Sequence, residues 1–536
     1  MAVQNNTPPE QTTAWRLLAE HQRQAAELRL HGEFARDPGR AQRFSLGLER
    51  LFVDFSRNLI TDETLSLLLD LAGQLGLGEK IGALFSGQEV NTTEQRPALH
   101  TLLRVPDDAG AGIQGNGEPD GMARRVRQER DRMFAFVKRL RAGEVRGSAG
   151  KPITRVVNIG IGGSDLGPRL VNGALSGYHR EGMDIDFVAN IDPFDIERAL
   201  ARADPETTLF IVASKSFTTQ ETLVNATRAE RWLAENGCND TGRHFLAVSG
   251  NSAAVERFGI GKDRYFKLED WTGGRYSIWS CIGMSSAICI GEDNFREFLA
   301  GAHALDLHFR SSAFDNNIPV ILALLSVWYN NFFDVGAHAV IPYDQRLEIL
   351  PAYLGQLVME SNGKSVGTDG NRVGTKTSQV IWGGAGSQAQ HAVFQFLHQG
   401  TRISSIDFLL PLTGGHDRAQ HELLVANCLA QGEALMRGSA NSAEPHRHFD
   451  GNRPSTTIVY DRLDPYTLGM LLALYEHKTY VEAAIWGINA FDQWGVDLGK
   501  TLAGQIAAEL AGGEPPGSHD ASTEQLMGRY RSAQRN

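Results

Sequence analysis

Cysteine is scarce in this chain: four in 536 residues, at positions 238, 281, 289 and 428. None forms a CxxC pair or falls into zinc-site spacing, which excludes a disulfide framework and a thiolate metal centre. Free thiols fit a reducing compartment, so a cytoplasmic location is expected. Long apolar runs are lacking too. The most apolar stretch, Val320 to Tyr329, is too short to cross a bilayer and reads as a buried helix. The N-terminal stretch MAVQNNTPPEQTTAWRLLAEH is polar and lacks the basic-then-apolar order of a secretory leader. There is no excess of positive charge either. A net charge of −11 excludes a basic face for nucleic acid, yet leaves room for a small anionic ligand held by a few local donors.

What is present is an ordinary globular composition, 42% hydrophobic and 21% charged, over a length that exceeds one hydrophobic core. Residues 9–36 and 41–57 read as amphipathic helices, and the run to Leu103 stays mostly helical. Residues 107–121 are glycine-rich and read as a loop. Beyond them short β-branched runs alternate with helical stretches, at 155–163, 185–190, 208–214 and 243–250, and again at 337–343, 378–384 and 404–412. That alternation predicts an α/β fold of two lobes, each a mainly parallel sheet flanked by helices, with N-terminal helices in addition. The expected divisions are 1–121 (helices packed on the second lobe), 122–290 (small lobe), 291–511 (large lobe) and 512–536 (a loose tail).

Two strand-to-helix turns carry the chemistry, because open α/β sheets bind ligands beyond the carboxyl ends of their strands. The first runs from Asn158 through Gly160, Gly162, Gly163, Ser164 and Asp165 to Pro168. Its glycines let a ligand approach backbone N–H groups, but Asp165 stands where a dinucleotide fingerprint needs glycine. A tight connection would explain the turn equally well. The second, Ser214 to Thr222, crowds the hydroxyls of Ser214, Ser216, Thr218, Thr219 and Thr222 around a helix start beside Lys215. A helix N-cap would account for one hydroxyl; five with a lysine describe a site for a phosphate monoester. Glu360 falls in the last turn of a helix closed by Asn362 and Gly363, facing the negative end of the helix dipole, where Lys364 offsets the cost. It reads either as a solvated surface carboxylate or as a general base. Gly499-Lys500-Thr501 follows Gly495 one residue too closely for a nucleotide loop, and Val425 replaces the second histidine of a zinc helix at His421-Glu422.

Taken with Trp271 to Ser280 (WTGGRYSIWS), Met359 to Lys364 (MESNGK), Gln390-His391, His398 to Thr401 and Gly487 to Lys500, these segments resemble the phosphoglucose isomerase family, in the expected order from about residue 45 to 510. The resemblance implies a homodimer of two sugar-isomerase lobes that interconverts glucose 6-phosphate and fructose 6-phosphate through an enediolate, in glycolysis and gluconeogenesis, without metal or organic cofactor. By matching positions, Ser214, Lys215, Ser216, Thr219 and Thr222 would hold the phosphate, while Gly163, Ser164 and Gln356 would contact the sugar or its phosphate. Glu360 would carry the proton between C1 and C2, and Arg275 would stabilise the enediolate. His391, contributed across the dimer interface, and Lys500 would open the ring, and Gln493 would line the pocket. The family's Trp-Gly-Glu-Pro-Gly-Thr-Asn-Gly is replaced here by Trp382 followed by Gly-Gly-Ala-Gly-Ser-Gln-Ala389, and its usual threonine by Ser216. An isomerase that also takes mannose 6-phosphate would share the same turn and base. A non-catalytic sugar-phosphate sensor would need the turn without Glu360, His391 and Lys500 together.

Overall fold

The computed structural model describes residues 7–107, 121–415, 417–441, 443–513 and 519–534. Most of the loop expected at 107–121 therefore lies outside the described residues. Two sheets organise the chain. The smaller contains β3 (Arg155–Ile159), β4 (Asp184–Val188), β5 (Thr208–Ala213), β6 (Phe245–Ser249) and β7 (Tyr265–Lys267), all parallel, in the order β4-β3-β5-β6-β7. Both of its faces are covered. Along β5, Leu209, Ile211 and Ala213 enter one apolar cluster, and Phe210 and Val212 enter another on the opposite side. Such two-sided burial is what makes parallel strands read as continuous apolar runs.

The larger sheet contains β1 (Ser45–Leu48), β2 (Leu51–Asp54), β8 (Ala337–Pro342), β9 (Val380–Gly383), β10 (Ser405–Pro411) and β11 (Ser455–Tyr460), in the order β1-β2-β11-β10-β8-β9. The strands from β8 to β11 pair in parallel, and β2 joins β11 antiparallel with Val53 opposite Ile458. This corrects the helix expected over 41–57. Leu51 and Val53 are buried while Phe52 between them is exposed, a period of two rather than 3.6. The open edge of β11 supplies the partner that a short helix would lack. The tail expected from 512 is corrected as well, since Ala521–Ala533 is a helix. Asp520 caps it through the backbone N–H groups of Ser522 and Thr523, and Arg531 donates to the Glu509 carbonyl.

Residues up to Phe491 form one compact unit, and those from Asp492 form a second. Within the first, one apolar cluster runs from Ala14 through Val156 and Leu209 to Leu409 and Ile458, so both sheets draw on a common core. At its centre lies the helix Pro465–Trp486, opened by the Asp464 side chain on the Thr467 N–H and closed by Gly487 in the left-handed conformation. It packs against the helix Glu292–Ser311 with almost no gap. A Cβ on Gly469 would overlap the Phe298 carbonyl, and one on Gly301 the Tyr466 carbonyl.

Neither backbone can yield, so Gly469→Ala should destabilise the fold by about 1–3 kcal/mol through overpacking. Gly73, with open space around its Cβ position, serves as the control. The expected outcome is a lower thermal midpoint for Gly469→Ala and none for Gly73→Ala; equal midpoints would show that the helix crossing has slack.

Candidate active site

In the smaller sheet the winding reverses between β3 and β5, and a sheet of this order opens its ligand crevice beyond the carboxyl ends of those two strands. Both turns singled out in the sequence start there. After β3, Gly162 adopts φ +60° and ψ −123°, open only to glycine, and the helix Gly163–Ala174 begins at once. Asn158 ties strand to helix by donating to the Ser164 carbonyl at 3.0 Å. Gly163 faces the Gly273–Arg275 turn so closely that a Cβ would overlap the Gly274 carbonyl and reach 2.7 Å from the Arg275 nitrogen. Ser164, half-buried, lies on the first turn of the helix.

After β5 the backbone folds over its own hydroxyls. Ser214 Oγ accepts from the Phe217 N–H at 3.1 Å and lies 3.1 Å from Thr219 Oγ1, while Ser216 Oγ accepts from Thr218 Oγ1 at 2.7 Å. Phe217 sits at φ +52°, its ring buried edge-on to Phe258, which anchors the turn from below. The helix Gln220–Glu235 then starts at Thr219 without a side-chain cap. Its third residue, Thr222, is 2% exposed, and its hydroxyl has no hydrogen-bond partner among the described residues. Buried polar groups are almost always satisfied, so an uncapped helix start with an orphaned hydroxyl is a place prepared for an acceptor-rich ligand. Lys215 Nζ donates to the Thr272 carbonyl at 3.0 Å, and burial, more than any neighbouring charge, lowers its pKa.

The helix Leu350–Asn362, with Pro351 in its first turn, supplies the third component. One turn apart, Gln356 Nε2 donates to Glu360 Oε2 at 2.8 Å. A Cβ on Gly162 would come within 2.9 Å of the same Gln356 nitrogen, so the glycine turn and this helix are in contact. Glu360 Oε1 lies 3.8 Å from Arg275 Nη1, with the carboxylate side chain 24% exposed and the guanidinium 1%. Lys364 Nζ donates to the carbonyls of Glu360 and Ser361, both at 2.8 Å, placing a cation at the helix end as its dipole requires.

Gly163, Ser164, Gln356, Glu360 and Arg275 thus form one continuous group, with Ser214–Thr222 beside it on the neighbouring strand. His391 closes the short helix Gly386–Gln390 and is exposed, its ring making no hydrogen bond or ion pair among the described residues. The divergent approach to it is ordered by contact. Gly386 lies against the Tyr343 ring, and Gln390 donates to the Tyr343 hydroxyl at 2.7 Å. Gln493 and Lys500 belong to the second unit, Gln493 before the turn Trp494–Val496 and Lys500 exposed on the helix Asp497–Leu510. Two residues not singled out from the sequence join the site. Ser361 Oγ accepts from Arg275 Nε at 2.6 Å, and the Tyr276 hydroxyl lies 2.9 Å from that oxygen. Both sit inside the quoted motifs, adjacent to Glu360 and Arg275, and adjacency was the only signal. Among the described residues no three His, Cys, Asp or Glu side chains come together as a metal site, and no helix is long and apolar enough to cross a membrane.

The family model described as phosphoglucose isomerase matches residues 54–527. Glucose-6-phosphate isomerase 2 of Chromobacterium violaceum is 47% identical over 550 residues, covering 99% of each chain. The glucose-6-phosphate isomerase of Desulforapulum autotrophicum is 46% identical over 545 residues, covering 98% of this chain and 97% of its own. Among solved structures, a glucose-6-phosphate isomerase from Chlamydia trachomatis matches with a TM-score of 0.86 at 32% identity, over 98% of this chain and 100% of that one.

If the orphaned Thr222 hydroxyl receives an anion, Thr222→Val should weaken binding of inorganic phosphate about tenfold, the usual worth of one hydrogen bond to a charged group. Calorimetric titration reads this directly. An unchanged Kd would remove Thr222 from the anion site.

Proposed function

The chain belongs to the phosphoglucose isomerase family, and from that premise we propose that it interconverts glucose 6-phosphate and fructose 6-phosphate with the groups just described. The reaction is an aldose–ketose isomerisation, a step of glycolysis and gluconeogenesis. The observation that carries the assignment of roles is the single group of Glu360, Arg275 and the glycine turn beside an uncapped, hydroxyl-lined helix start.

The phosphate monoester lies against Ser214, Lys215, Ser216, Thr219 and Thr222, where helix N–H groups, hydroxyls and one ammonium converge. Its binding energy fixes the sugar carbons over Glu360, with Gly163, Ser164 and Gln356 along the path. Ring opening needs one group to protonate the ring oxygen and another to take the anomeric proton, and His391 and Lys500 suit those tasks. Glu360 then removes the proton on C2 of the open aldose. The electron pair moves into the C1–C2 bond, and negative charge develops on the former carbonyl oxygen. Arg275 faces that charge with a planar cation that keeps its proton, which a lysine would not reproduce. The hydroxyl proton on the C2 oxygen passes to the anionic C1 oxygen, and return of the carbon-bound proton from Glu360 to C1 leaves the ketone at C2. Gln356, donating to Glu360, holds the carboxylate in the plane from which it reaches both carbons. The working form is a cytoplasmic homodimer in which His391, exposed on the single chain, serves the partner's pocket.

A coupled assay starting from fructose 6-phosphate should show glucose 6-phosphate formation by the wild type. Glu360→Gln should bind substrate nearly normally yet lose both isomerisation and exchange of the C2 hydrogen with solvent. Exchange retained near the wild-type rate would refute Glu360 as the proton carrier.

Sharing of the site has its own test. Glu360→Gln and His391→Ala are each expected to be inactive. After dissociation and reassociation, random pairing gives about half heterodimers, each with one pocket carrying both lesions and one intact. Activity should then return to roughly a quarter of the wild type. Heterodimers confirmed by mass but inactive would assign His391 to its own subunit.

A further inference from the structure

We propose that Ser361 is a positioning residue for Arg275: its hydroxyl, braced by Tyr276, sets the plane and reach of the guanidinium that stabilises the enediolate. The inference rests on the role of Arg275 given above and concerns how that role is made possible.

An arginine side chain loses rotamer freedom when it is held in one conformation, and transition-state stabilisation requires that this ordering precede the reaction. Arg275 is ordered at two separate nitrogens. Nε donates to Ser361 Oγ at 2.6 Å, and Nη2 donates to the Ala490 carbonyl at 2.5 Å. Because the guanidinium is rigid and planar, two fixed nitrogens plus the side-chain stem leave it no rotation, and Nη1 is turned toward Glu360. Both of these acceptors are neutral, so they orient the cation without cancelling its charge.

Ser361 is fully buried, so it cannot itself touch substrate and must act through what it holds. Its second neighbour keeps it in place. The Tyr276 hydroxyl lies 2.9 Å from Ser361 Oγ, and burial pushes that phenol up to about 12, so it stays a neutral hydrogen-bonding group throughout the physiological range. Most telling is the position of Ser361 in the chain. It follows Glu360 directly, on the same helical turn, and its partner lies 86 residues earlier. The residue next to the base therefore grips the cation, and the Glu360–Arg275 separation is set by one peptide unit and one hydrogen bond. Any drift of the helix carries base and cation together.

A merely structural Ser361, filling space in a buried turn, makes different predictions. Ser361→Ala should lower kcat roughly 10- to 100-fold, the scale on which a misplacement of about 1 Å acts, with KM within about twofold of wild type. Ser361→Cys keeps the volume, offers only a weak sulfur acceptor, and should show the same split; it covers the case in which alanine unsettles the fold. Tyr276→Phe should move kcat in the same direction by less. The decisive measurement is the double variant. Lysine has no Nε to be held, so adding Ser361→Ala to Arg275→Lys should cause no further loss of kcat. Full kcat in Ser361→Ala and Ser361→Cys, or losses that multiply in the double variant, would overturn the proposal. If Arg275→Lys by itself keeps wild-type kcat, it is the reading of Arg275 that fails, and the two failures are told apart by that single variant.

Discussion

The last turn of the helix Leu350–Asn362 carries three consecutive side chains pointing in three directions, about 100° apart as helical geometry demands. Each holds a different part of the molecule. Glu360 faces the pocket, Ser361 holds Arg275, and Asn362 donates to Glu482 Oε2 at 2.9 Å and to the Thr479 carbonyl at 3.1 Å. Glu482 is in turn paired with Lys478 at 2.6 Å, both almost wholly buried in the central helix. Removing one partner of such a pair leaves an uncompensated charge in the interior, at a cost of roughly 3–5 kcal/mol. The helix end that carries Glu360 is thus moored to the most buried element of the fold. A single turn sets Glu360, Arg275 and their common support.

That mooring explains why the pocket can be built from turns without being loose. Loops ordinarily trade precision for variety. Here the glycine turn after β3 has no Cβ at Gly163, and the missing atom is the space into which the Gly274 carbonyl fits. The Lys215 ammonium binds the Thr272 carbonyl, joining the hydroxyl turn to the Gly273–Arg275 turn. Three turns from distant parts of the sequence interlock, two by backbone contact and the third through the Lys215 side chain, and the side chains they present inherit that rigidity.

Much of this was legible in the sequence because the physics is local. Parallel strands buried on both faces read as apolar runs, so β3 to β6 and β8 to β10 appeared near their observed positions. The crowding of hydroxyls at a helix start was equally visible, since the pattern needs no partner to be seen. What escaped depends on contacts made elsewhere. Residues 45–54 carry helix-forming leucines, arginine and glutamate, yet they became a hairpin because β11 offered an edge. β11 itself begins Ser-Thr-Thr and gives a weak apolar signal. Ser361 looked like part of a helix end, since its partner is 86 residues away. The central helix concealed more still. Glu476 and His477 sit in the core beside Arg104 and Asp306, and burial pushes Glu476 up to about 7 while Arg104 draws Asp306 down to about 2. No local pattern announces charges that are satisfied only by tertiary pairing.

The chemistry divides along the same line as the structure. Moving a proton between adjacent carbons demands a fixed base and a fixed cation, because the distance to both carbons must hold through an intermediate that exists only in that geometry. Glu360 and Arg275, the pair proposed for that step, stand on buried supports. Opening a ring is a different task, since the same site must accept both a compact cyclic sugar and an extended chain. Groups serving that step gain from reach and solvent contact, and His391, for which that role is proposed, is exposed at the end of a five-residue helix. The replacement of the family's Glu-Pro by Gly384-Ala385 and of its Asn-Gly by Gln388-Ala389 falls on the approach to His391, where the Tyr343 ring and hydroxyl provide the anchorage. The contacts that hold Gly163, Arg275, Glu360 and Ser361 together do not pass through that segment.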